Sequence, residues 1–91
     1  MKKTVYKKLV KEVTKLENKT YSNGYALTKI MLEIADKLEV NFKLGKMKEC
    51  FEEEADVIHT AYFEDIVVEF YNKCNGYISE KIVKIIVSEN N

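Results

Sequence analysis

The sequence lacks four amino acids entirely: proline, tryptophan, arginine and glutamine do not occur among its 91 residues. All 15 strongly basic residues are therefore lysines, which offer a point charge where arginine would bind guanine or phosphate through two parallel hydrogen bonds. Abundant lysine, asparagine, isoleucine, glutamate and tyrosine in their place is typical of an AT-rich gene. This composition suggests a low-GC bacterium, its phages or its mobile elements as the source.

Cysteines and long apolar runs are also scarce. The two cysteines, Cys50 and Cys74, are too few for a disulfide scaffold, so we expect reduced thiols. No apolar run approaches the roughly 20 residues that cross a membrane, and the basic start MKKTVYKKLVKEV lacks the apolar core of a signal peptide. We expect one cytoplasmic domain over residues 1–91, without a membrane segment.

Apolar residues recur at spacings of three and four, which is the period of an amphipathic helix. This pattern predicts one helix over 4–18 and a second over 25–39. Residues 46–74 are predicted to form a long third helix that ends before Gly76, and a fourth helix starts at Ser79. The sequence therefore predicts an all-α, four-helix domain.

Two segments leave an alternative open. Val40, Phe42 and Leu44 alternate with polar residues, which favours a short strand or an extended loop at 40–44. The many β-branched residues at 80–87 permit a strand as well as a helix.

Charge is segregated along the chain although the formal net charge is zero. Residues 1–19 hold seven lysines against two glutamates, whereas residues 49–72 hold eight acidic residues and no lysine. The predicted first helix is therefore basic and the predicted third helix is acidic.

The long third helix would carry an acidic face opposite an apolar stripe that contains Phe51 and Ile58. After about residue 62 the apolar residues change sides, so the helix either bends between 59 and 65 or displays an apolar patch beside its acids. An apolar patch with an acidic rim is typical of a protein-binding surface. The candidate partner-binding residues are Glu49, Glu52, Glu53, Asp56, Phe63, Glu64, Val67, Phe70 and Tyr71.

The residues for metal or nucleophilic chemistry do not converge in this pattern. Asp56 and His59 have the spacing of a di-iron ligand pair, but such sites repeat the pair and this chain has one histidine. Cys50 would lie on the opposite helical face from His59, which prevents a thiolate–imidazole pair. We therefore expect His59 at the edge of the apolar stripe or in water beside Asp56, and we predict no enzyme activity, metal or cofactor.

The segment IADKLEVNFKLGKMKECF resembles a helix-turn-helix, because Ala35, Leu38 and Val40 occupy its small and apolar positions. It departs from that motif at Glu39 and Gly45. The resemblance implies a DNA-binding regulator, and the lysines that would contact DNA are Lys43, Lys46 and Lys48.

A second resemblance concerns paired carboxylates. Helical nucleotide pyrophosphatases of the MazG type bind Mg²⁺ with an ExxE pair followed by an ExxD pair, and this chain has the pairs Glu33/Asp36 and Glu49/Glu52 in the reverse order. The resemblance implies a Mg²⁺-dependent nucleotide hydrolase as a third hypothesis.

Charge segregation without catalytic motifs favours a small non-enzymatic protein that binds another protein. The acidic third helix would meet a basic partner in the manner of an inhibitor, an anti-CRISPR protein or a bacteriocin immunity protein. The same patch could instead form a homodimer. DNA binding is the alternative function.

Overall fold

The computed structural model describes residues 1–52, 54–76 and 78–89, and in it two helices are followed by a largely β second half. The prediction of an all-α, four-helix domain is therefore wrong. The elements in chain order are α1 (Lys3–Thr14), β1 (Thr20–Tyr21), α2 (Gly24–Leu38), β2 (Phe42–Leu44), β3 (Lys48–Glu49), β4 (Val57–Phe63), β5 (Ile66–Asn75) and β6 (Ser79–Glu89).

The two predicted N-terminal helices are present. α1 buries Leu9 and Val13, as its apolar spacing predicts. α2 begins after Asn23, whose side-chain oxygen accepts a hydrogen bond from the Ala26 N–H at 3.0 Å. It ends at Glu39, whose left-handed backbone (φ 56°) closes the last turn. Within the described residues, no helix is long and apolar enough to cross a membrane.

All strand pairs in the sheet are antiparallel, in the order β1-β6-β5-β4-β2, and β3 also pairs with β4. Both helices pack on one side, the inner face, and no described residue forms a helix on the other side, the outer face. The buried core between the layers consists of Leu9, Val13, Leu16, Leu27, Met31, Ile34, Ala35, Ala61, Phe63, Ile66, Val68, Phe70 and Ile82.

Strand β5 explains why the long third helix was a wrong prediction. Its side chains alternate with period two: Ile66, Val68 and Phe70 are buried, whereas Val67 between them is partly exposed. The change of side near residue 62 is a hairpin turn, because Phe63 pairs with Ile66 across two residues. Two strands joined by a tight turn thus imitate the spacing of a helix whose face rotates.

The two segments with open alternatives both adopt extended structure. Residues 42–44 form β2, and residues 80–87 lie inside β6, where β-branched side chains suit a pleated surface. The edge made by β2 and β3 is interrupted at residues 45–47, which begin with Gly45. A Cβ atom there would lie 2.9 Å from the Tyr62 ring and 3.1 Å from the Thr60 carbonyl oxygen, so only glycine fits.

Prediction: Phe70→Ala lowers the free energy of unfolding by about 3–5 kcal/mol, because a fully buried ring leaves a cavity. Phe51→Ala changes it by less than about 0.5 kcal/mol, because that ring is 95% exposed. Urea denaturation of the two variants measures both values. A larger loss of unfolding free energy for Phe51→Ala than for Phe70→Ala would contradict this fold and support the predicted third helix, in which Phe51 is buried.

Candidate protein-binding site

The acidic stretch forms a loop at one end of the sheet instead of a helix. The loop, whose described residues are 50–52 and 54–56 between β3 and β4, closes through a hydrogen bond from the Cys50 N–H to the Asp56 carbonyl oxygen at 2.9 Å. We call it the acidic loop. Its base is held by Ala55, which is buried, and by the Asp56 N–H, which donates to the Asn72 carbonyl oxygen at 2.8 Å.

The acidic loop presents an aromatic ring to solvent. Phe51, which the sequence placed in the buried stripe, is 95% exposed, and nearby Met47 is 60% exposed. Glu52 and Glu54 follow Phe51 on the same loop, and Glu49 precedes it at the end of β3; all three are exposed. An exposed phenylalanine among carboxylates combines an apolar anchor with a charged rim.

Two carboxylates of the loop are bound to the sheet. The Asp56 carboxylate accepts the Cys74 N–H at 2.8 Å and lies 3.8 Å from the Lys73 ammonium. The Glu52 carboxylate lies 3.7 Å from the Lys84 ammonium, which stands 4.6 Å from the centre of the Tyr71 ring. The hydrogen bond of Asp56 holds the base of the loop, whereas the exposed Glu52–Lys84 pair contributes little energy. Neither carboxylate is therefore a free rim charge.

Glu49 and Glu54 form no ion pair with any described residue. They are the carboxylates that remain available to a partner. Glu53, the other predicted rim charge, lies outside the described residues.

The predicted apolar and aromatic anchors point to opposite faces of the sheet, because side chains alternate along a strand. Phe63 and Phe70 are completely buried between the sheet and the helices, and their rings cannot reach a partner. Val67 and Tyr71 do face outward and are partly exposed. Glu64 lies in the β4–β5 turn (φ 56°), where its carboxylate accepts the Asn41 N–H at 3.3 Å.

The outer face of the sheet is partly apolar and rich in lysine. Alternation along β4, β5 and β6 directs Ile58, Tyr62, Val67, Tyr71 and Ile86 to this face, where each is partly exposed. The lysines on the same face are Lys43, Lys48, Lys73, Lys81 and Lys84. Lys73 and Lys81 stand directly opposite each other, and the Asp56 carboxylate offsets part of their repulsion.

The inner face carries a polar cluster that the sequence did not reveal. His59 Nε2 lies 3.0 Å from Glu80 Oε1, although sequence reasoning placed His59 beside Asp56 or at a helical stripe. Asn72 is fully buried; its Nδ2 donates to the Tyr21 hydroxyl, and its Oδ1 has no partner among the described residues. Pairs of strands far apart in sequence bring these groups together, so no local spacing could have shown them.

The thiol beside this cluster is not activated. Cys74 Sγ lies 4.0 Å from Glu80 Oε1. Burial, and then the negative charges of Glu80 and Asp56, raise the pKa of Cys74 above its ordinary value. A raised pKa keeps the thiol protonated and weakens it as a nucleophile. Within residues 1–52, 54–76 and 78–89, no three ligand side chains gather in a way that could hold a metal ion.

The described residues do not form the helices that the helix-turn-helix and MazG resemblances require. Residues 42–44 and 48–49, which would belong to a recognition helix, are strands. Glu33 and Asp36 lie on α2, but Glu49 ends a strand and Glu52 is in the acidic loop, so the two pairs do not face each other from adjacent helices.

Comparison of the chain with protein-family models, with curated proteins and with solved structures finds no match in any of the three. Among the described large hydrophobic side chains, that of Phe51 in the acidic loop has the greatest exposure.

Prediction: Tyr21→Phe lowers the free energy of unfolding by about 1–3 kcal/mol, because the buried Asn72 amide loses its side-chain partner. Combining Tyr21→Phe with Asn72→Leu recovers part of this loss, since no buried polar amide then remains. Denaturant unfolding of the wild type, the two single variants and the double variant gives the four free energies of a double-mutant cycle. Additive losses would show that the two side chains are not coupled.

Prediction: the folded state loses stability in alkali partly through Tyr21. Burial, and then the charge of Glu80, raise the pKa of Tyr21 well above its ordinary value of 10.0. Because the folded state holds the Tyr21 proton more tightly than the unfolded chain does, the stability linked to this proton is complete below pH 10.0. It declines as the pH rises above that value. The wild type should therefore lose more stability than Tyr21→Phe in denaturant unfolding on either side of this pH, and equal losses would refute the assignment.

Proposed function

We propose that the protein acts by binding a partner protein that has a basic surface, with Phe51 as the anchor and the acidic loop as the contact. The observation that carries the proposal is the 95% exposure of Phe51 between acidic residues. Burying a phenylalanine side chain in a partner's pocket is worth about 1.5–3 kcal/mol, which an exposed position leaves unused.

The carboxylates around Phe51 would select the partner. Glu49 precedes Phe51 and Glu54 follows it in the chain, and both are exposed. Acidic charges at a rim steer a basic surface into contact. The partner that fits is a protein with lysine or arginine around an apolar pocket. An enzyme whose basic groove binds nucleic acid has this chemistry, which makes the protein an inhibitor or immunity-type modulator in this proposal.

The base of the loop supports a binding role because it is ordered by the fold. Asp56 is hydrogen-bonded to the backbone of β5, and Glu52 is ion-paired with β6. A loop held at its base loses less conformational entropy on binding than a free segment does. Phe51 is thus presented by a scaffold and need not be ordered by the partner.

Prediction: affinity capture from a host lysate retains a protein on the wild type and on Tyr25→Ala, and loses it from Phe51→Ala and from Glu49→Lys/Glu54→Lys. Tyr25 is the matched control, because it is an exposed aromatic residue (84%) on α2 and does not belong to the acidic loop. Hot-spot truncation typically weakens binding by about 2 kcal/mol or more, roughly thirtyfold.

Mass spectrometry identifies the retained protein, and thermal unfolding confirms that the four proteins are equally folded. Equal retention by all four would dismiss the acidic loop as the contact. Loss from Tyr25→Ala as well would place the contact elsewhere on the chain.

A second candidate function is single-stranded nucleic-acid binding by the outer face. The observation that favours it is the set of five lysines around Tyr62 and Tyr71, since aromatic rings stack on bases and lysines neutralise phosphates. Three of these lysines, Lys43, Lys48 and Lys81, have no ion pair with a described residue.

Prediction: if the outer face binds nucleic acid, fluorescence anisotropy of a labelled oligonucleotide rises at low salt, and Lys43→Glu/Lys81→Glu abolishes the rise. Each lost phosphate contact should also lower the slope of log affinity against log salt by about 0.7 for a single strand. An unchanged anisotropy with the wild type at low salt would eliminate this candidate.

A further inference from the structure

Strand β6 has an open edge. One side of β6 pairs with β5 from Ser79 to Glu89, but the other side meets only β1, at Glu80 and Lys81, and the Lys19 and Asn18 backbone at Ile82. From Val83 to Glu89 no described strand lies beside it. An edge of seven residues, about 24 Å long, leaves backbone donors and acceptors free to pair with another strand.

The open edge carries Lys84 and a register shift between Ile82 and Lys84, but it lacks the interruption found at the opposite edge of the sheet. At the opposite edge, the chain is interrupted between β2 and β3, and Gly45 lies against the Tyr62 ring. Lysines flank that interruption. The open edge of β6 instead reads VKIIVSE, in which four of the seven residues are β-branched and aliphatic. Such a sequence favours strand pairing.

We propose that a second copy of this chain occupies the edge, so that two β6 strands pair antiparallel around a twofold axis at Ile86. With Ile86 opposite itself, Ile85 lies opposite Val87 of the second copy. In the same register Lys84 lies opposite Ser88. Residues directly opposite in an antiparallel pair share a face, so the two inner faces join on one side and the two outer faces on the other.

This register is self-complementary. Aliphatic residues meet aliphatic residues at the centre, and no two like charges between residues 83 and 89 stand opposite each other. A register shifted by one residue would place inward side chains against outward ones. The zero formal net charge of the chain also means that long-range repulsion does not oppose the association.

Helix α1 extends the contact beyond the strand. The Glu12 carboxylate accepts a hydrogen bond from the Lys37 ammonium at 2.8 Å, so this side of α1 faces α2. Val10 is about 200° from Glu12 around the helix, and Tyr6 is one turn before Val10, so both lie on the side of α1 away from α2. Helix α1 also contacts β6. Val10 and Tyr6 are both partly exposed, and a second copy would cover them.

Sedimentation analysis of the full chain tests the proposal through residue 86. The wild type sediments as a dimer, whereas Ile86→Lys and Ile86→Glu are each monomeric, because each places like charges opposite each other at the twofold axis. An equal mixture of the two variants returns to dimer, because lysine then faces glutamate. Val67→Lys is the control: it puts the same charge on the outer face, on β5 and away from the edge, and it remains a dimer.

A cysteine at the axis tests the same contact with a smaller change. Ile86→Cys forms an intermolecular disulfide under mild oxidation, because residues opposite each other across an antiparallel pair have Cβ atoms about 4.5–5.5 Å apart. Val67→Cys and the wild type, with its own Cys50 and Cys74, do not cross-link.

Four results would overturn the proposal. They are a monomeric wild type, a dimer that survives both charged substitutions at residue 86, a mixture that does not reassemble, and an Ile86→Cys variant that cross-links no faster than Val67→Cys. Loss of the dimer in Val67→Lys would indicate association through the outer face instead. The Phe51 variants leave the dimer unchanged, so this test is independent of the proposed function.

Discussion

The period-two alternation of β5 is the constraint on which the rest of the structure depends. Its inward residues, Ile66, Val68 and Phe70, are buried under the helices. Strand β4 pairs with it from Ile66 to Asn72, and β6 pairs along its whole length with one register shift at Tyr71/Asn72. Because a slip of one residue would exchange the two faces, burial of Phe70 also decides which side chains of β4 and β6 point inward. The core, the outer face and the polar cluster all follow from that register.

The same register places the acidic loop. Asp56 reaches the Cys74 N–H because β4 and β5 are paired next to it, and Glu52 reaches Lys84 because β6 follows on the other side of β5. These contacts use two carboxylates to hold the loop and leave Phe51 exposed at its tip. The sequence alone suggests that all acidic residues of this stretch belong to one surface. In the structure, some of them form contacts with the sheet and others remain free for a partner.

Sequence reasoning succeeded where structure is local. The apolar spacing of α1 and α2 repeats every three or four residues, and a helix buries such a stripe whatever lies against it. It failed over residues 46–74, because Phe51, Ile58 and Tyr62 have helical spacing by coincidence. The ring of Phe51 is exposed, whereas Ile58 and Tyr62 lie on the outer face. The β-branched run IVVEF at residues 66–70 is compatible with a strand. The turn at residues 64–65, however, has neither glycine nor asparagine to mark a hairpin.

What the sequence by itself determined is therefore the pair of amphipathic helices, the segregation of charge and the absence of arginine chemistry. Only the tertiary structure decided that Phe63 and Phe70 are core and that Phe51 is exposed, because these outcomes depend on which strands pair. It also decided that His59 meets Glu80, a contact across 21 positions in the chain. Helical hydrogen bonds join residues four apart and leave a local trace, whereas sheet pairing joins distant residues and is specified by the packing of the whole core.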